Sequence, residues 1–412
     1  MYRIILLLII LFSFSISYTQ ELGGWKFNGQ IQLRSEVDGR DFSNKTHPFT
    51  FASIRTRLGV EKTFEEKVQL FVQFQDSRVL GEEGSPTTYT SNVDLYQGYV
   101  KIINPFDLNL NIQAGRFAII YGTERFFGAT NWSYVGRSFD GVRFSIMPNC
   151  WDLDLFALTL NESVSYINNP LPSLYPFPQH ATPSHSIYGF YKQNKITNSS
   201  KFDLTGYYEI DRNDIKPDTN AIEVLTLGGT YWGNYGDFST VVEAAYQLGN
   251  RSAKDVNAYL FSLAGFYKTG ISTFGLGLDI LSGNDPNKPD KSNAYIPSYA
   301  TNHKFYGYMD YFPSNAFGLG LHDFYFKSTF DFNESMISLS ADIHHFMSNQ
   351  KNSSGQNTFG QELDLTLVYK FAKGTQLTWG GSVFMPGDIM KVLYSPREDA
   401  AFWTYVMITA NL

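Results

Sequence analysis

GQIQLRSEVDGR, residues 29–40, alternates polar and apolar side chains at every second position. Ile31, Leu33 and Val37 fall on one face of a strand. The other face carries Gln30, Gln32, Arg34, Glu36 and Asp38. Successive side chains of a strand point to opposite faces, so one face of this strand is apolar and the other is wet. The pattern predicts a strand that separates an apolar medium from water.

The same alternation recurs along the chain, and about nineteen windows can be read this way. Short connections alternate with longer ones between the windows, eight short and nine long, which makes eighteen strands. One window, residues 303–310, would break this alternation, so we place it inside the long connection that follows strand thirteen. Short periplasmic turns and long extracellular loops are typical of outer-membrane barrels. We therefore predict an all-β fold, a single transmembrane antiparallel β-barrel of about 18 strands.

The first residues and the composition favour the same class. Residues 1–19 have Arg3, a short apolar run and a Ser-rich end, which predicts a secretory signal peptide. Residues 20–412 are then the barrel, in the outer membrane of a Gram-negative cell and in contact with its lipids. Aromatic and charged residues each make up 17% of the chain. Ordinary soluble domains have a charged share of about 25%, and abundant aromatic residues suit interfacial girdles.

Other features add little chemistry. Cys150 is the only cysteine, so an internal disulfide is excluded. Residues 283–293 offer oxygen ligands without the spacing of a calcium loop. His344 and His345 point to opposite faces of one strand and cannot chelate together. We predict no metal, no cofactor and no nucleic-acid partner.

Arginine is concentrated in one part of the chain. Nine of the thirteen arginines lie between Arg34 and Arg143, whereas fourteen of the nineteen lysines follow Cys150. Arginine binds carboxylates with a planar fork and stays charged. The lumen-facing set either selects an anionic cargo or forms ladders with neighbouring acids; it comprises Arg34, Arg55, Arg57 and Arg143. Residues 151–412 are acidic, with 17 Lys and Arg against 25 Asp and Glu, and would repel a polyanion unless the acids lie on outer loops.

The densest motif is GRFAIIYGTERFFGATNWSYVGRSFDGVRF, residues 115–144. Together with RLG at 57–59, QDSR at 75–78, DLY at 94–96 and HKF at 303–305, it resembles the alginate export family of outer-membrane β-barrels. The resemblance implies a monomeric barrel with an electropositive constriction that passes a polyuronate outward, with periplasmic secretion partners.

The resemblance also implies site residues. The constriction candidates are Arg57, Arg116, Arg125, Arg137 and Arg143, with Glu124 and Asp140 as orienting partners; Arg34, Arg55 and Asp76 complete the predicted site. Strand phase alone places Arg116 with Leu110 and Ile112 on the lipid side unless a bulge intervenes.

Three other functions compete with that of a passive export channel. A nutrient porin for sugars or small anions fits the same scaffold, because the fold does not fix the cargo. A barrel enzyme is disfavoured because no Gly-x-Ser-x-Gly elbow occurs. A plugged transporter is disfavoured because the first strand begins about ten residues after the signal peptide. The Pro-rich residues 169–183 either cap the barrel or enter the pore.

Overall fold

The computed structural model describes residues 23–82, 92–148, 151–161, 185–211, 221–312, 314 and 316–412. Strands dominate this part of the chain. Their bounds are β1 Trp25–Gly39, β2 Phe49–Phe64, β3 Val68–Val79, β4 Val93–Ile103, β5 Leu110–Phe117, β6 Phe139–Ile146, β7 Trp151–Asn161, β8 His185–Lys195, β9 Ser200–Asp211, β10 Ile222–Tyr235, β11 Phe238–Arg251, β12 Lys254–Thr269, β13 Ser272–Leu281, β14 Lys291–Ser292, β15 Leu321–Phe332, β16 Ile337–Met347, β17 Thr358–Ala372, β18 Thr375–Pro386 and β19 Ala401–Asn411. The described residues also form helix α1, Asp388–Tyr394, and 3₁₀ helices at Pro105–Asp107, Asn302–Lys304 and Ala316–Gly318.

The strands close into one ring. Each long strand pairs antiparallel with its neighbours, β13 pairs with β15, and β14 is only a two-residue parallel pairing beside β12. The ring closes where β1 pairs with β19, with Gln30 opposite Asn411 and Gly39 opposite Phe402. The result is a closed barrel of eighteen antiparallel strands, which confirms the predicted fold class.

The two faces of the wall differ as the alternation predicts. Ile31 on β1 and Leu58 on β2 point outward and are 50% and 60% exposed. Arg34 and Arg55 on the same strands point inward and are buried. A wall with apolar side chains outside and polar side chains inside suits a lipid exterior. In the described residues no helix has the length and apolar character needed to cross a membrane.

The connections lie on two rims. The turn rim carries the connections after β2, β4, β6, β8, β10, β12, β15 and β17, and the loop rim carries the others. One predicted long connection is short: only Ser252 and Ala253 join β11 to β12. Both residues have positive φ, 51° and 59°, as a two-residue hairpin turn requires. Residues 303–310 form no strand and lie inside the connection after β13, as predicted.

The core lies inside the barrel at the loop rim. Two connections fold inward there: loop A, residues 118–138, and loop B, residues 282–320 apart from 313 and 315. Phe127 of loop A stacks on Tyr299 of loop B, with ring centroids 5.4 Å apart. Phe312 of loop B packs on Phe359 of β17 at 4.9 Å. These buried rings fix both loops to the wall and to each other.

Two predictions concern residues outside the described ranges, the signal peptide at 1–19 and the position of the Pro-rich residues 169–183. Cys150 also lies outside them.

Candidate functional site

Loop A crosses the interior of the barrel. Its residues 131–135 lie against β1 to β3, whereas Arg125 reaches β11 and β13. β11 is nine places from β2 in a ring of eighteen long strands, so these contacts are on opposite sides of the lumen. A segment that touches opposite walls narrows the space between them. Loop A is therefore the element around which a pore site is built.

Arg55 and Arg57, on the inward face of β2, bind loop A through neutral groups. Arg55 Nη1 donates to the carbonyl oxygens of Asn131 at 3.0 Å and Ser133 at 2.5 Å. Arg57 Nη1 donates to Asn131 Oδ1 at 2.9 Å, and its guanidinium lies 3.6 Å from the ring centre of Tyr96. None of these hydrogen-bond partners carries a formal negative charge. The two arginines therefore hold loop A in place, and the groups that they bind do not neutralise their positive charges.

Arg34 on β1 differs from its two neighbours. Its Nε donates to Glu36 Oε1 at 2.7 Å, which makes a buried ion pair on the same strand. Its Nη1 donates to the carbonyl oxygen of Trp132 at 2.8 Å, and the guanidinium lies 4.3 Å from that indole. Arg34 thus belongs to a ladder with a neighbouring acid and also anchors loop A.

Arg125 fastens loop A to the far wall. Its Nε donates to Glu243 Oε2 at 2.6 Å, and its two Nη atoms bind the two oxygens of Asp279 at 3.2 Å each. Nη1 also donates to Tyr306 of loop B at 2.9 Å, and the guanidinium lies 3.9 Å from the ring centre of Phe305. With 3% side-chain exposure and acids on two sides, Arg125 is a structural clamp with little charge left for a cargo.

Eight acids of the C-terminal part lie on the inward face of the wall, while others, such as Asp285 and Asp399, lie on connections of the loop rim. We call this set the acidic wall; it comprises Asp203, Glu209, Glu243, Asp279, Asp323, Asp342, Glu362 and Asp364, all buried. Some have a basic side chain beside them: Asp342 pairs with Lys327 at 2.9 Å, and Asp323 lies 2.9 Å from the imidazole of His344. Burial and pairing keep these carboxylates away from the open lumen.

Loops A and B are joined through Glu124. Its carboxylate accepts a hydrogen bond from Thr301 Oγ1 at 2.6 Å and pairs with Lys304. The backbone adds two bonds, Thr301 N to Glu124 O at 3.0 Å and Gly128 N to Tyr299 O at 2.9 Å. Glu124 therefore orients loop B, whereas the resemblance implied that it orients an arginine. The partner of a side chain across two loops is not encoded in the spacing of either loop.

Arg137 and Arg143 complete the interior set. Arg137 Nη1 donates to the carbonyl oxygen of Ala300 at 3.2 Å, and burial lowers the pKa of its guanidinium. Arg143 Nη2 donates to Gln113 at 2.6 Å, and its Nη1 lies 3.5 Å from Asp154. Arg137 thus keeps a positive charge beside a neutral partner, as Arg55 and Arg57 do, while Arg143 is paired with an acid.

Three predicted site residues lie on the outward face. Gln113 of β5 points inward, so Arg116, three positions later, points outward, as strand phase predicted. Its Nη1 pairs with Asp140 at 2.6 Å, and the side chains are 32% and 57% exposed. Asp76 also points outward and accepts a hydrogen bond from Arg78 Nε at 2.8 Å. These residues do not share the lumen with the other arginines, contrary to the implication of the resemblance.

Sequence reasoning missed the groups that hold Arg125. Glu243 and Asp279 are each the single acid of their strand and lie at an inward position. An isolated acid at an inward position predicts a buried cationic partner, but it does not identify which cation that is. Thr301 and Lys304 were missed because their role depends on how two loops meet.

Comparison with protein families gives one match. A family model described as alginate export matches residues 25–393. Comparison with curated protein sequences gives no match.

Solved structures share the barrel. OpdO of Pseudomonas aeruginosa has a TM-score of 0.62 at 12% identity, covering 94% of this chain and 97% of OpdO. A BenF-like porin from Pseudomonas fluorescens Pf-5 has a TM-score of 0.63 at 11% identity, covering 95% and 100%. OpdK of Pseudomonas aeruginosa, solved with vanillate, has a TM-score of 0.60 at 10% identity, covering 94% and 98%. At these identities the likeness establishes the fold alone.

Proposed function

The chain belongs to the alginate export family and is an outer-membrane channel, and from this premise we propose that it passes an acidic polysaccharide or oligosaccharide built of uronate-type sugars. We propose that one chain forms one pore, since the ring of strands closes on itself. The surrounding lipids and periplasmic secretion proteins would be its partners.

One observation carries this proposal. Arg55, Arg57 and Arg137 lie around loop A, where the lumen narrows, and their hydrogen-bond partners there are neutral. A guanidinium bound by carbonyl oxygens keeps its full charge, so this region attracts carboxylates. Rings of arginine or lysine are a common basis of anion selection in pores.

The acidic wall does not oppose this selection. Its carboxylates are buried, and Glu243 and Asp279 are compensated by Arg125. A carboxylate that lies beside a cation gives a weaker net field at a distance than an unpaired charge does. Arg55 and Arg57 are also buried, but their hydrogen-bond partners at loop A are neutral. The net positive charge near loop A is therefore the dominant local feature.

A nutrient porin for small anions remains the second candidate. The BenF-like porin and OpdK, solved with vanillate, share the barrel over almost its full length. A pore with uncompensated arginines would also pass small carboxylates. The two candidates differ in the length of the cargo and in the direction of its passage.

Ion selectivity and block of the channel current test this proposal. Purified protein in planar bilayers under a KCl gradient should give an anion-selective reversal potential, and uronate oligomers should block the current. A cation-selective pore that ignores these oligomers would refute the proposal. Block by monomeric carboxylates alone, with no effect of longer oligomers, would favour the nutrient porin.

A further inference from the structure

A cavity of about 460 Å³ lies at the turn rim, away from loop B and from the arginines described above. The ends of β7 to β10 and the connection at residues 196–199 line it. Cavities that bind small molecules usually measure about 300–1,000 Å³. Trp232 reaches from this cavity to Gly122, at the start of loop A. The cavity therefore lies on the way from the turn rim to the narrow part of the lumen.

Strand register arranges the lining side chains in a row. Lys195 of β8 is opposite Lys201 of β9, and Lys201 is opposite Trp232 of β10. Side chains directly opposite each other on antiparallel strands have Cβ atoms about 4.5–5.5 Å apart. Two residues further from the turn rim along β8, Gln193 is opposite Asp152 of β7. Two cations and an aromatic ring thus lie side by side, backed by groups that bind hydroxyls.

The lysine pair is unfavourable as it stands. Like charges directly opposite each other on neighbouring strands destabilise a sheet. Lys201 Nζ gains some compensation, since it lies 3.8 Å from the ring centre of Trp232 and 4.0 Å from Asp203. Within the described ranges the structure gives the ammonium group of Lys195 no ion-pair partner. An anion between the two lysines would relieve the repulsion.

We propose that this cavity is a docking site for an acidic sugar residue, with its carboxylate between Lys195 and Lys201. The sugar ring packs against Trp232, and its hydroxyls bind Asp152 and Asn234, which also line the cavity. Indole supplies a flat apolar surface with a polar edge, and a few polar groups fix orientation. This inference rests on the proposed function and adds a capture step on the turn-rim side of loop A.

Binding to the full-length protein in detergent micelles tests the proposal. Isothermal titration with trimannuronate should give saturable binding, whereas maltotriose, a neutral trisaccharide, should bind weakly. Lys195→Gln and Lys201→Gln should each raise the Kd about tenfold, the loss expected for one charge-assisted hydrogen bond. Trp232→Phe should weaken binding and reduce the ligand-induced change in tryptophan fluorescence, to which Trp151 in the cavity lining also contributes.

Matched variants on the outward face provide controls. Lys62→Gln removes a lysine of β2 that lies beside Trp25 on the outward face, away from the cavity, and Trp379→Phe changes an outward tryptophan of β18. Both should bind trimannuronate as the unmodified protein does. Inorganic phosphate distinguishes a general anion site from a sugar site, because it offers charge without a ring.

The proposal is overturned if trimannuronate fails to bind, if both lysine variants bind it with unchanged Kd, or if phosphate binds as tightly as the trimer. Reversal potentials in KCl alone keep this result separate from the proposed function. An anion-selective channel without lysine-dependent binding refutes the docking site and leaves the function standing. A cation-selective channel that binds the trimer through Lys195 refutes the proposed function and leaves the docking site standing.

Discussion

Arg55, Arg57 and Arg137 act as anchors and as charges at the same time. Carbonyl and amide oxygens accept hydrogen bonds from their Nη atoms, and none of these acceptors carries a negative charge. Arg125 shows the other solution, because two carboxylates both hold and neutralise it. The identity of the hydrogen-bond partner, more than the position of the arginine, decides whether its charge reaches the lumen.

Arg137→Gln should lower anion selectivity. Removing one charge about 7 Å from a passing ion in water changes its energy by about 0.6 kcal/mol, which is about threefold in permeability ratio. Reversal potentials in a KCl gradient measure this ratio. Arg116→Gln is the control, since Arg116 lies on the outer face and pairs with Asp140. Equal losses in both variants would contradict the assignment of Arg137 to the pore.

Arg125→Met should destabilise the protein strongly. It leaves Glu243 and Asp279 buried without their cation, which costs about 3–5 kcal/mol for a buried pair broken on one side. Urea titration of the folded protein in lipid vesicles measures the free energy of unfolding.

Two further variants sharpen this measurement. Adding Glu243→Gln and Asp279→Asn to Arg125→Met should recover part of the stability, because neutral amides need no cation. Arg397→Met, which breaks the exposed pair with Asp41, should cost about 0–1 kcal/mol. A loss for Arg125→Met as small as that of Arg397→Met would rule out the clamp.

At the scale of elements, loops A and B form one unit. Gly128 allows this contact, because a Cβ there would lie 2.1 Å from Thr301 Oγ1 and 2.7 Å from Glu124 Oε2. Trp132 of loop A stacks on His303 of loop B, with ring centroids 4.0 Å apart. A movement of one loop must therefore either carry the other loop with it or break the contacts between them.

Gly128→Val should force the two loops apart. Overpacking of this kind costs about 1–3 kcal/mol, and the loops would no longer share the joint at Glu124. We expect a larger single-channel conductance and faster cleavage of loop A by added protease. Val135→Ile, which adds bulk to an exposed side chain of the same loop, should change neither quantity. Unchanged conductance in Gly128→Val would show that the joint does not restrict the pore.

The loops also mark the limit of prediction from sequence. Alternation places Arg55 and Arg57 on the inward face, since phase is a local property of a strand. It cannot place Arg125 against Asp279, because 154 positions separate them and the contact depends on the path of loop A. The motif block located the functional segment, but only the folded loop reveals which charges are neutralised.

At the scale of the molecule, successive residues of each strand face the lipid and the lumen in turn. Leu365, in the middle of β17, points outward, and Thr366 beside it points inward. Leu365→Arg should cost about 2–4 kcal/mol, the price of a cation at the bilayer midplane. Thr366→Arg should cost less. Urea titration in lipid vesicles compares the two, and an equal cost would contradict the assignment of the faces.

The number of strands was predictable because the chain alternates short and long connections around the ring. The connection after β11 shows where such counting is weak. Its turn has two residues in the left-handed region, Ser252 and Ala253, which carry no glycine or asparagine signal. The total of eighteen still holds, because a shorter connection on the same rim leaves the order of strands unchanged.

The seam between β1 and β19 has a consequence for biogenesis. Synthesis proceeds from the N-terminus, so the strand made first has one partner, β2, long before its second partner, β19, exists. During that interval the free edge of β1 exposes unpaired backbone groups, which invite pairing with other chains. Pairing of Gln30 with Asn411 removes this edge, so the ring is complete only once the last strand of the chain has formed.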